Sequence, residues 1–104
     1  MTGGTGANEY IYGAVTDSTR TAMDVITNFN VAMDLIDLAG LGVNLRYTGN
    51  VTNLSAHSIS WQTVGGDTFV YVNTSPRSEA VTAANMAIDL KGAIALTAAN
   101  FVHG

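Results

Sequence analysis

A chain of 104 residues sets an expectation of one domain with a modest core. Hydrophobic residues make up 47% and charged residues only 12%, so the polar surface must be built from Thr, Asn, Ser and Gly, the pattern of β-rich extracellular proteins. Lys and Arg number 4 against 8 Asp and Glu, for a net charge of −4, and there is no cysteine; a phosphate-tracking basic patch, disulfides, thiolate catalysis and sulfur-ligated metals are thereby excluded.

Divalent cations are the natural partners of such an acidic, lysine-poor chain. No apolar run approaches the length of a membrane span, so no membrane insertion is expected. No charged segment followed by an apolar stretch opens the chain, so no cleavable signal peptide is expected. Met1-Thr2 ahead of the glycines is an abrupt start, as in a piece of a longer protein.

In chain order, "GGTGANEYI" (3–11) crowds three glycines into a tight turn before a β-prone pair. Residues 9–15 read as a short strand, and 16–24 as a polar loop. Residues 25–41 read as strand, turn, strand, closed by Gly40 and Gly42. "VNLRYT" (43–48) alternates, with Val43, Leu45 and Tyr47 on one side. "SISWQTVGGDTFVYVN" (58–73) is the strongest local signal. Gly65-Gly66 supplies the positive φ angles of a two-residue hairpin turn. That register sets Trp61 opposite Val70 and Ile59 opposite Val72, with Ser60, Gln62, Phe69 and Tyr71 on the other face. Residues 74–85 read as a polar connection. "MAIDLKG" (86–92) alternates with Met86, Ile88 and Leu90 inward and Ala87, Asp89 and Lys91 outward. "AIAL" (93–96) reads as a further strand, and Thr97 as the cap of one helical turn before Phe101-Val102. Short strands separated by glycine turns predict an all-β sandwich or roll.

Each chemical motif has a plainer reading beside it. The pattern G-G-x-G-x-D-x-U-x is the nonapeptide of calcium-binding β-rolls, where glycine turns point carbonyls inward and the Asp adds a charged oxygen. Gly3, Gly4, Gly6 and Tyr10 fit it, with Asn8 in the place of the Asp; a single copy, taken alone, is better read as a loop. Asp17 reads as a loop-capping residue, and Asp34 and Asp37 as solvated turn carboxylates. No cleft is indicated for a paired-carboxylate hydrolase. His57 could be set beside Ser58 or Ser60 and Asp67, yet no G-x-S-x-G elbow is present, and a surface histidine is the better reading. His57 and His103 are too few for zinc. The sequons at 50–52 and 73–75 are expected by chance in a chain rich in Asn and Thr.

Taken together, these pieces resemble a known family. The glycine turn, then Asp17-Ser18, then "DVITNF" (24–29), then "DLIDLA" (34–39) is similar to the last nonapeptide turn and following segment of RTX proteins secreted by the type I pathway. The likeness is strong over 3–41 and looser over 42–102. Similar segments end serralysin-type metalloproteases, mannuronan epimerase repeat modules and some S-layer proteins. The resemblance implies the end of a parallel β-roll over 1–13, followed over 14–104 by an antiparallel, sandwich-like cap with hairpins. It implies Ca²⁺ bound by Asp17 and Asp24, with Gly4, Gly6 and Asn8 as the glycine-turn ligands. It also implies an uncleaved export signal, matched here by Asn100, Phe101 and Val102, which the type I secretion machinery reads. Asn8, Asn28 and Asn100 stand where the family favours Asp, and Ala39 where Ser is usual; fewer charges imply weaker calcium binding. The expected role is therefore a non-enzymatic, calcium-binding capping and secretion-targeting domain of an extracellular bacterial protein. The alternative is a polysaccharide-binding or surface-assembly module, with Trp61, Phe69 and Tyr71 as a sugar platform.

Overall fold

The computed structural model describes residues 8–42, 44–50 and 53–102. Its strands are β1 (Glu9–Ile11), β2 (Asp24–Ile26), β3 (Leu35–Asp37), β4 (Arg46–Gly49), β5 (Asn53–Leu54), β6 (Ser58–Val64), β7 (Asp67–Asn73), β8 (Glu79–Ala80), β9 (Met86–Leu90) and β10 (Phe101–Val102). The helical elements among the described residues are single 3₁₀ turns, so the class is all-β.

The longest strands form where alternation is sustained. Gly65 and Gly66 take φ of 60° and 86°, the double positive-φ turn that matches the twist of a hairpin. β6 and β7 pair antiparallel in the expected register, with Ile59 opposite Val72 and Trp61 opposite Val70. β9 adds antiparallel to β7, setting Ile88 beside Val70. β2 and β4 close the two edges of this five-stranded sheet, in the order β2-β9-β7-β6-β4, and each runs parallel to its neighbour. The cap sheet is thus antiparallel at its centre and parallel at its edges. Most of the chain separates β2 from β9, whereas only residues 50–57 lie between β4 and β6.

A second sheet is wholly parallel, in the order β1-β3-β10. Tyr10, Ile36 and Phe101 from this sheet share one cluster with Ile59, Val70, Val72, Met86, Ile88 and Leu90 from the other. The main core therefore lies between two sheets, as in a sandwich. Full burial of each such aliphatic side chain contributes roughly 1.5–3 kcal/mol.

The five-stranded sheet is covered on its other face as well. Tyr71 and Ala87 pack there with Leu54 and Ala84, beside the β5–β8 ribbon. Two expectations fail at this point. Ala87 is fully buried rather than outward, because its face of β9 meets this second layer. The connection 74–85 is not merely polar, since β8 lies within it and pairs with β5. A third expectation fails nearby: 93–96 is not a strand. Gly92, at φ 98°, turns the chain out of β9, and Ile94 N–H then donates to the buried Thr68 hydroxyl at 2.8 Å instead of a strand. Thr97 does stand at the N-cap of the 3₁₀ turn Ala98–Asn100, where its N–H donates to the Asn100 side-chain oxygen at 2.9 Å.

Candidate functional site

Three polar residues stand at the N-terminal ends of the three parallel strands. Asn8 precedes β1, Asp34 precedes β3 and Asn100 precedes β10. Asp34 is only 1% exposed, not the solvated carboxylate expected. One of its oxygens accepts from Asn8 N–H at 2.9 Å and from the Asn8 amide at 3.2 Å; the other accepts from Asn30 N–H at 2.9 Å. Burial alone pushes the Asp34 carboxyl up, but the Asn30 and Asn8 donors outweigh it and hold it below its ordinary value. Asn100 lies buried on the other side of Asp34. Its amide donates to Val31 O at 2.7 Å and Asp34 O at 3.2 Å, while its oxygen accepts from Thr97 N–H at 2.9 Å. Strands of two and three residues have few ladder bonds, and this clasp ties all three together.

The Asp17–Asp24 loop is built differently. Asp17 accepts from Gly13 N–H at 3.0 Å and Ala14 N–H at 3.2 Å, closing the 3₁₀ turn Val15–Asp17 as a capping residue does. Ser18 is fully buried. Its hydroxyl donates to Ala87 O and accepts from Asp24 N–H at 2.9 Å, pinning the loop onto β9 at the start of β2. Tyr12 is buried beneath, and its hydroxyl bonds the Asp24 side chain. Its pKa is driven far above the usual phenol value, first by burial, then by the charges of Asp24 and Asp17. The Tyr12 hydroxyl thus ties the Asp24 side chain to the core beneath the loop.

These residues can be tested against calcium, which takes about 6–8 oxygen ligands. Asp17 spends one carboxylate oxygen on the Gly13 and Ala14 N–H groups, and Asp24 bonds the Tyr12 hydroxyl. Asn8 donates its side-chain amide to Asp34. Gly4 and Gly6 lie outside the described residues. Among the described residues no group of three or more His, Cys, Asp or Glu could hold a metal.

At the C-terminal strand, Phe101 is buried against Tyr47, with ring centroids 5.5 Å apart, and Val102 is half-buried. Leu38 N–H donates to Val102 O at 2.7 Å. His103 lies outside the described residues.

Of the other sequence candidates, the buried Ser60 hydroxyl has no hydrogen-bond partner, while several others are tied down. Ser58 donates to Ser55 O at 2.7 Å, and Asp67 pairs with Lys91 at 2.9 Å. Asn73, of the second sequon, is fully buried and donates to Ser55 O and Arg77 O. Trp61 lies on the core-facing side of β6, whereas Phe69 and Tyr71 stack on the opposite side, so the three do not form one platform. Sequence reasoning missed Tyr12, Ser18 and Asp34 as organising residues. The serine's place directly after Asp17 was the one available signal.

The profile of the family described as Peptidase M10 serralysin C terminal matches residues 2–103. A search of curated proteins returned no match. With the match spanning nearly the whole chain, and with an all-β structure that ends in a parallel sheet, this chain belongs to the serralysin C-terminal family of the M10 peptidases.

Proposed function

We propose that this chain is the non-enzymatic, calcium-binding cap of an extracellular RTX-type bacterial protein, and that its last residues carry the type I secretion signal. The observation that carries this reading is the burial of Asn100 and Phe101 within a parallel sheet whose far strand, β1, follows directly on the glycine turn. In this reading residues 1–13 are the last turn and strand of a calcium roll, and residues 14–104 form the cap. The open edge of β1 is where the preceding strands of the roll would stack.

Asp17 and Asp24 would hold the ion together with the Gly4 and Gly6 carbonyls. Bound calcium would neutralise the two acids and tie their loop to the glycine turn. Asn8 would add its side-chain oxygen, while its amide nitrogen supports Asp34. Anything that binds the folded state alone stabilises it by mass action. The chain's own residues account for the order of events in export. Asn100 and Phe101 are buried once β10 has joined β3, so secretion machinery can read them only before folding. Low cytoplasmic calcium would keep them readable, and millimolar calcium outside would then bury them.

Two measurements test the two halves separately. Calorimetry in EDTA and in millimolar calcium should show a higher Tm with calcium, and Asp17→Asn with Asp24→Asn should remove the difference. An unchanged Tm in the native chain sinks the calcium role. A passenger fused to this chain should be exported through a type I system, and removal of residues 97–104 should stop export. Export that survives the truncation sinks the signal assignment.

A further inference from the structure

Trp61 is the only tryptophan of the chain. Its indole N–H donates to the Tyr47 hydroxyl at 2.8 Å, which donates in turn to Leu96 O at 3.1 Å. This relay fixes the ring's orientation while leaving the side chain only half-buried. The ring lines an open cleft of about 240 Å³ with Asn50, Thr63, Ala93, Ile94 and Ala95.

Two backbone irregularities build that cleft. In β4, Tyr47 pairs with Ile59 while Gly49 pairs with Ser60, so Thr48 is an extra residue in the strand. Such a bulge re-aims the residues that follow it. Continued by one residue, the shifted register brings Asn50 level with Trp61; an unshifted strand would carry it past, level with Gln62. On the other side, Gly92 turns the chain out of β9, and Thr68 fixes the departing segment. The Thr68 hydroxyl donates to Gly92 O at 2.9 Å and accepts from Ile94 N–H. The walls are therefore set by internal hydrogen bonds before any ligand arrives, which lowers the ordering penalty of binding.

The chemistry of the lining is specific. One flat aromatic surface is accompanied by an exposed amide and an exposed hydroxyl, with small apolar residues beside them and no charge. The chain carries a net charge of −4, and its one lysine is held by Asp67 at 2.9 Å and Asp89 at 3.5 Å. We propose that the cleft is a subsite for one ring of an uncharged glycan. The C–H face of the sugar would lie on the indole, and its hydroxyls would meet the Asn50 amide and the Thr63 hydroxyl. An acidic polysaccharide is disfavoured, because no cation lines the cleft to meet its carboxylates.

Because Trp61 is the sole tryptophan, its emission reports on the cleft directly. The whole chain is titrated with maltohexaose, cellohexaose, chitohexaose and an oligomannuronate, each in EDTA and in calcium, so that this inference is scored apart from the metal reading. At least one neutral hexasaccharide should give a saturable change with a Kd of about 0.1–10 mM, the weak range suited to a small open cleft. The oligomannuronate should give none. Asn50→Ala, at an exposed position, should weaken the binding about fivefold or more while leaving Tm unchanged. Silence from all three neutral sugars, equal binding of the acidic one, or full affinity in Asn50→Ala would each overturn the proposal.

Discussion

The two main sheets are held together by different physics. The five-stranded sheet is organised by long alternating strands, in which Ile59, Val70, Val72, Ile88 and Leu90 are fully buried in one core. The parallel sheet has strands of two and three residues and contributes few apolar side chains of its own. Polar groups set before each of its strands supply the alignment instead, with Asp34 at the centre. Ladder bonds and burial suffice where strands are long. Where strands are short, buried hydrogen bonds to a charged group fix the register, and these are stronger than neutral ones.

The largest effect should come from breaking the apolar side of this contrast. Ile88→Ala leaves a cavity at the middle of β9, between the sheets, and should destabilise by about 3–4 kcal/mol. Chemical denaturation should show a lower midpoint with the slope unchanged. A loss below about 1 kcal/mol would mean that this site can collapse, and that the core is not packed as tightly as full burial implies.

The next effect attacks the polar side. Asp34→Ala orphans the Asn8 and Asn30 donors and should cost about 2–3 kcal/mol. It should also change the acid response. The Asp34 carboxyl sits below its ordinary 3.8 in the folded chain. A depressed folded pKa gives stability that is complete above the unfolded value and is lost as pH falls through the folded one. The gap between native chain and variant should therefore be constant from neutral pH down to about 4 and shrink below it. Thermal melts across that range would show it; a gap that stays constant down to pH 2 would mean that the carboxylate's charge has no part in the clasp.

This contrast also explains what could be read from the sequence. The β6–β7 hairpin was legible down to its pairs, because Gly65-Gly66 and the alternation around it are local signals. The strand, turn, strand order read over 25–41 was legible from its apolar runs and the glycines that close it. Asp34 was not. Its donors come from Asn8 and Asn30, and the strand beyond is tied through Asn100, 66 residues away; a lone carboxylate in "MDLIDL" looks solvated until those partners are known. The strand expected at 93–96 failed because an apolar run carries no information about Thr68, which captures its backbone from another strand. Trp61, Phe69 and Tyr71 were legible as aromatics of one hairpin, but not as surface or core, because the layer under β5 and β8 is assembled from distant segments. At the candidate calcium loop the acids Asp17 and Asp24 were legible, and the buried Tyr12 hydroxyl that bonds Asp24 was not.

The smallest effect probes how much local strain the stronger sheet tolerates. His57 takes φ of 48°, a left-handed conformation that disfavours any residue with a β-carbon. It is held there because its N–H donates to Ser75 O at 3.1 Å and its carbonyl accepts from Arg46 N–H at 2.8 Å. Both are backbone bonds, and they tie the turn before β6 to β4 whatever side chain stands at the position. Glycine keeps both bonds and removes the steric penalty of about 1–2 kcal/mol. It also makes the unfolded chain more flexible, which returns part of that gain. His57→Gly should therefore stabilise by about 0.5–1 kcal/mol, raising Tm by roughly 2–6 °C in a domain of this size. A fall in Tm would mean that the imidazole makes a contribution larger than the strain it imposes. The expected rise would mean that the five-stranded sheet carries a strained joint at its β4 edge, next to the bulge that sets Asn50 beside Trp61.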